Sequence, residues 1–266
     1  MGLKRNSKGQ LTEATSFRTR KDSIYQKGSN TPFRVSRSKF SNFLDCKRCF
    51  YLDRVKGLKE PGMPGWSLNT AVDELLKKEF DYLRKEKKAH TIFEKNNLNF
   101  IPFEHNNMDK WRNSLKGGIS YFDKKNNIEL YGGVDDIWFD KDKEELVVVD
   151  YKAQASNEKV ETESYLSNIY HQGYKIQMDI YVYILRMMKF KVSDVSYFYV
   201  CNGEKSYDKF NGKLNFTTTL IPYKTDISWV DKKITEMKKV LESEKIPEVN
   251  KCCENCAYLK GGKRFL

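Results

Sequence analysis

Histidine, proline and long apolar runs are all scarce in this chain. Only 3 of its 266 residues are histidine and 6 are proline. His90, His105 and His171 stand at no shared ligand spacing, so a histidine-built metal centre is not expected. The most apolar stretch, residues 176–190, is broken by Asp179 and Arg186 and is too short to span a bilayer. No apolar stretch follows the N-terminus in the manner of a secretory signal, so the expected setting is cytoplasmic and away from membranes. Acidic residues are also in deficit: 36 Asp and Glu face 48 Lys and Arg, for a net charge of +12. That balance suits a polyanion partner, above all nucleic acid, through counterion release. It also suits a lysine-rich solvated surface.

What the chain does have is core material and grouped thiols. Aromatic residues make up 14% of it, enough to fill a sizeable core despite a mean hydropathy of −0.72. Residues 1–35 are polar and basic, with only Glu13 and Asp22 opposing the cations, and read as a disordered tail. Order is expected from Val35, with Ser36 or Ser38 capping a short helix towards Cys46. Pro61, Gly62, Pro64 and Gly65 mark a loop. Val72, Leu76, Phe80 and Leu83 form the apolar stripe of a helix from about Ser67 to Lys88. The Asn- and Lys-rich stretch 95–127 is poorly patterned and reads as a helical or irregular insertion. Further on, strands are expected at 128–140, 145–152, 195–201 and 214–222, and helices at 173–189 and 227–243. Strands mixed with helices indicate one α/β (α+β) domain over residues 36–266.

In Leu146-Val147-Val148-Val149-Asp150-Tyr151-Lys152, period-two alternation puts Asp150 and Lys152 on one face and Val147, Val149 and Tyr151 on the other. The same run also fits a strand end whose charged groups are merely solvated. The preceding strand carries Asp135 and Asp136 among aromatic and β-branched residues, where an unpaired carboxylate is costly. Gly132 and Gly133 permit a close backbone or ligand approach. If the two strands lie side by side, Asp135 faces Asp150, and a divalent cation would relieve their repulsion. Asp73 lies beside the helix stripe. Gln177 and Tyr181, four residues apart, share one helix face.

Taken in order, Gly132-Gly133-Val134-Asp135, Asp150-Tyr151-Lys152 and Gln177-Met178-Asp179-Ile180-Tyr181 resemble the motif set of RecB-like PD-(D/E)XK nucleases. The resemblance spans roughly Ser36–Cys256 and is nearest in style to the CRISPR-associated RecB-like exonucleases. It implies a restriction-endonuclease-like core, a mixed central sheet flanked by helices, with a helical insertion and a cysteine-bound metal clip. By that resemblance Asp135 and Asp150 hold Mg²⁺ or Mn²⁺ with the backbone carbonyl of Tyr151. Lys152 activates water and stabilises phosphate charge, while Gln177 and Tyr181 position the strand and support the lysine. Asp73 stands where the family usually has a metal-binding histidine.

Six cysteines are present, and Cys46, Cys49, Cys252, Cys253 and Cys256 fall into two tight groups. The resemblance implies a 4Fe–4S cluster on Cys46, Cys49, Cys253 and Cys256, with Cys252 a substitute ligand. The family pattern has one N-terminal and three C-terminal cysteines, so a structural Zn²⁺ stays open. The implied activity is phosphodiester hydrolysis on single-stranded DNA or duplex ends, in repair, recombination or CRISPR adaptation with its protein partners. A DNA-binding module without catalysis and a zinc-clipped RNA-processing protein are the rival readings.

Overall fold

The β-branched run that carries Asp150 becomes the centre of a mixed sheet. This computed structural model describes residues 3–62 and 65–265, so Pro64 of the expected loop and the first two residues of the expected tail lie outside the described residues. The chain divides into two units, one of Trp66–Tyr121 and Tyr131–Val230, the other of Met1–Gly65, Phe122–Leu130 and Asp231–Leu266.

The first of these holds a five-stranded sheet in the order β2-β5-β6-β7-β8. Its strands are β2 (Phe100–Pro102), β5 (Asp136–Asp140), β6 (Glu145–Gln154), β7 (Val195–Gly203) and β8 (Phe216–Lys224). All pairings are antiparallel except β6 with β7. A parallel pair needs a crossover, and α7 (Gln172–Met187) supplies it. The amphipathic helix α3 (Ser67–Glu86) covers the other face. Its Leu76 and Phe80 pack with Trp138, Val147, Val149 and Tyr151. Phe80 is the hub, with ring centroids 5.3 Å from Trp138 and 5.8 Å from Tyr151. The predicted alternation of β6 is therefore realised: Val147, Val149 and Tyr151 face α3, and Asp150 faces α7. Residues 177–185 of α7 are buried without a break. No helix among the described residues is long and apolar enough to cross a membrane.

The second unit contains β1 (Phe33–Ser36), α1 (Arg37–Asp45), α2 (Lys47–Arg54), most of α8 (Val230–Leu241) and α9 (Glu254–Gly262). Ser36 caps α1 by accepting from the Lys39 amide, as its position predicts. β1 joins β4 (Ile128–Gly132) and β3 (Ile119–Asp123) in the order β1-β4-β3. Contacts also begin earlier than Val35. Tyr25 is buried, and the Arg18 guanidinium donates to the buried Asp53 at 2.5 Å.

Two expectations are corrected. Residues 128–140 form two strands, not one. At the break, Val134 N–H donates to the Trp111 carbonyl at 3.1 Å, so this backbone pairs with the 111–114 segment. The stretch 95–127 is neither helical nor irregular throughout. It follows the short α4 (Thr91–Lys95) and holds β2, α5 (Met108–Arg112) and β3, each too brief to show a period.

Candidate active site

The β4–β5 break and the end of β6 bring the predicted residues together. The ladder runs from Asp140↔Glu145 to Asp136↔Val149. One step further, Asp135 Oδ2 accepts from the Tyr151 amide at 2.9 Å. Asp135 therefore lies beside Asp150, as two-strand register requires. Gly133 makes the break possible: a Cβ there would meet the Arg112 carbonyl and the Ser114 amide at 2.9 Å each.

Asp150 is fully buried. Its Oδ1 accepts from Gln177 Nε2 at 2.6 Å. Its Oδ2 is sealed from solvent and, among the described residues, faces the Lys152 ammonium in an ion pair. Burial pushes the Asp150 carboxyl up to about 7, against the pull of Lys152 and with the help of Asp135. Burial lowers Lys152, but Asp150 and Asp135 outweigh it and hold the ammonium above the ordinary lysine value. Lys152 also lies 4.6 Å from the centre of the Tyr174 ring.

Gln177 and Tyr181 share a helix face as predicted, and Gln177 Nε2 reaches the Tyr181 hydroxyl at 3.3 Å. Tyr181 donates to the Gly133 carbonyl at 2.6 Å. Gln177 thus holds Asp150 and Tyr181 holds the Gly133 turn, and the aromatic beside Lys152 is Tyr174. Asp73 is near enough to Asp135 that burial, then the Asp135 charge, raises its carboxyl, opposed by Lys77. Lys77 Nζ is 2.7 Å from Asp73 Oδ2 and 3.7 Å from Asp135 Oδ1. Asn69, Val72, Asp73, Tyr151, Lys152 and Tyr174 line an open cleft of about 200 Å³ at this place.

Lys77 and Arg112 have no role in the sequence reading, and Asp136 figures there only as a costly carboxylate next to Asp135. Lys77 had a local signal, four residues after Asp73 on one helix. Asp136 had a weaker one, since alternation turns it away from Asp135. It is wholly buried and accepts from Arg84, from Arg112 at 2.9 Å and from the Tyr151 hydroxyl at 2.8 Å. Arg112 Nε also donates to the Asp135 carbonyl at 3.0 Å. Asp135, Tyr151, Asp136 and Arg112 therefore close a ring of hydrogen bonds behind the cleft.

The family model of the PD-(D/E)XK nuclease superfamily matches residues 64–260. This chain belongs to the PD-(D/E)XK nuclease superfamily. A solved chain from Eubacterium rectale, described as a "putative exonuclease", is similar at 15% identity, with 85% of this chain and 87% of that one covered and a TM-score of 0.44. No curated protein matches.

PD-(D/E)XK nucleases use divalent metals. The donors here suit a hard cation: neighbouring carboxylates, one with a solvent-sealed oxygen that accepts no hydrogen bond among the described residues and faces an amine.

Elsewhere in this PD-(D/E)XK protein, Cys46, Cys49, Cys253 and Cys256 form a set able to hold a metal, their sulfurs all within 4.8 Å of one another. Cys46 ends α1 and caps α2, Cys49 follows one turn later, and Cys253 caps α9, which carries Cys256. Cys252 is exposed and outside the set, which closes on Cys49 instead. Burial, then Cys253 and Cys256, push the Cys49 thiol up.

Proposed function

We propose that this protein is a Mg²⁺- or Mn²⁺-dependent deoxyribonuclease, an exonuclease on single-stranded DNA or frayed duplex ends. The observation that carries the reading is the clustering of Asp135, Asp150 and Lys152 at the end of β6, beside the cleft that Lys152, Tyr151 and Asp73 line. RecB-like ancestry, cytoplasmic location and a place in DNA repair, recombination or CRISPR adaptation belong to the same reading.

Asp135, Asp150 and the Tyr151 carbonyl are the groups that would hold the ion, with Asp73 adjoining them. A bound divalent ion supplies charge that polarises a phosphodiester and acidifies water. Lys152, kept protonated by its two carboxylate neighbours, places a fixed positive charge where the phosphate gains negative charge. Gln177 holds Asp150 in one orientation through Oδ1, leaving Oδ2 turned to the lysine. Tyr181 fixes the turn that delivers Asp135.

The test is cleavage of labelled single- and double-stranded DNA with added Mg²⁺ or Mn²⁺. Asp150→Ala and Lys152→Ala are each expected to abolish cutting while preserving the circular dichroism spectrum. Cutting retained by either variant refutes the reading. The Asp73–Lys77 pair favours one rival, a DNA-binding module without catalysis. That rival predicts DNA binding with no cleavage in the wild-type protein.

A further inference from the structure

We infer that the four-cysteine set takes a single tetrahedral Zn²⁺ rather than the 4Fe–4S cluster implied by the family resemblance. The argument is one of room. The Sγ atoms of Cys46 and Cys256, of Cys49 and Cys253, and of Cys49 and Cys256 are each 3.6 Å apart. All four lie within 4.8 Å of one another. Four thiolates at the Zn–S bond length of ~2.3 Å stand about 3.8 Å apart along the edges of a tetrahedron, so one ion fits at their centre. A 4Fe–4S cluster puts each thiolate on a different iron, with four sulfides between them. Sulfurs already in van der Waals contact leave no space for that body.

The ligand arrangement agrees. Two Cys-x-x-Cys pairs, each on a helix start, give a closed S₄ set with no coordination position left for substrate. The nearest spare thiol in sequence, Cys252, is exposed and takes no part. The segment leading into α9 is already tied to the α1–α2 region by other bonds. Asn250 Nδ2 donates to the Asp45 carbonyl at 2.9 Å, and Arg48 Nη1 to the Pro247 carbonyl at 2.8 Å. The ion's role is structural: it clips segments some two hundred residues apart in the sequence, removing a large loop from the unfolded chain.

The full-length protein, produced with both zinc and iron in the medium and purified without oxygen, tests this directly. Elemental analysis should find one zinc per chain, no acid-labile sulfide and no brown charge-transfer absorption. Replacing the zinc by Co²⁺ should give the visible d–d bands of a tetrahedral thiolate site. Cys252→Ser should keep the full zinc content, and Cys49→Ser should lose most of it. The inference is overturned by four irons with matching sulfide in the anaerobic protein. It is equally overturned if stripped protein, offered zinc together with iron and sulfide, assembles the cluster in preference. Neither result bears on the metal at Asp150, so the nuclease reading stands or falls separately.

Discussion

At the scale of single residues, Tyr151 ties the candidate site together. The Tyr151 hydroxyl reaches Asp136 while the Tyr151 amide reaches Asp135, so this residue links the buried arginine cluster to the carboxylates proposed to hold the metal. Tyr151→Phe cuts that link without changing any charge. It is expected to weaken Mn²⁺ binding about 10-fold, as loss of an outer hydrogen-bond partner typically does. Ile221→Val, a buried change in β8 away from the cleft, should lower stability with no change in Mn²⁺ affinity. Titration of Mn²⁺ by electron paramagnetic resonance measures the affinity of each variant, and thermal unfolding measures the stability.

The buried Asp150 makes metal affinity depend on pH. Its folded-state value, about 7, lies above the ordinary 3.8. The stability it lends is therefore complete below the unfolded value and is lost as pH rises through about 7. A divalent ion needs the ionised carboxylate, so its affinity climbs over that same window. The rise in melting temperature on adding Mn²⁺ should be small at about pH 5 and larger at about pH 8. An equal rise at both would contradict the assignment of Asp150 as the ligand that must lose a proton.

Among the elements, the β4–β5 break positions the chemistry, and Gly133 governs the break. Gly133→Ala would drive a Cβ into the Arg112 and Ser114 backbone and displace Asp135. Loss of cleavage with a folded far-ultraviolet spectrum is the expected outcome. In α2, Asp53 is a buried carboxylate among Arg18, Lys39 and Arg54. Burial would raise it, but the three cations outweigh that and hold it below 3.8. Its stabilising effect is present above the unfolded value and lost as pH falls through the folded one. Asp53→Asn should cost about 2 kcal/mol by denaturant titration, reduced from the fully buried range because its partners are partly exposed.

These elements also show what a sequence can reveal. Asp150 and Lys152 were legible because strand alternation is strict and their neighbours are β-branched. The helix stripe Val72–Leu76–Phe80 was legible because its period is long enough to see. The split of 128–140 was not, since it depends on the Tyr181 hydroxyl and the 111–114 backbone, which are remote in sequence. The partners of Asp136 were hidden for the same reason: Arg84 and Arg112 arrive from other elements. The early contacts of Arg18 and Tyr25 were masked by a polar, basic composition that looks like a tail.

For the whole molecule, the net charge of +12 serves the proposed substrate. Binding of Asp150→Ala protein to a single-stranded oligonucleotide should weaken at least about 10-fold between roughly 50 and 200 mM salt. Salt-independent binding would mean that the basic surface does not contact phosphates. The central claim is narrower than charge or family: two carboxylates from neighbouring strands, with the Lys152 amine beside them, make one divalent-metal site. A crystal soaked in Mn²⁺ and measured for anomalous scattering addresses it most directly. A peak bound by Asp135, Asp150 and the Tyr151 carbonyl is predicted, whereas no peak there, or one bound elsewhere in the molecule, would contradict the account.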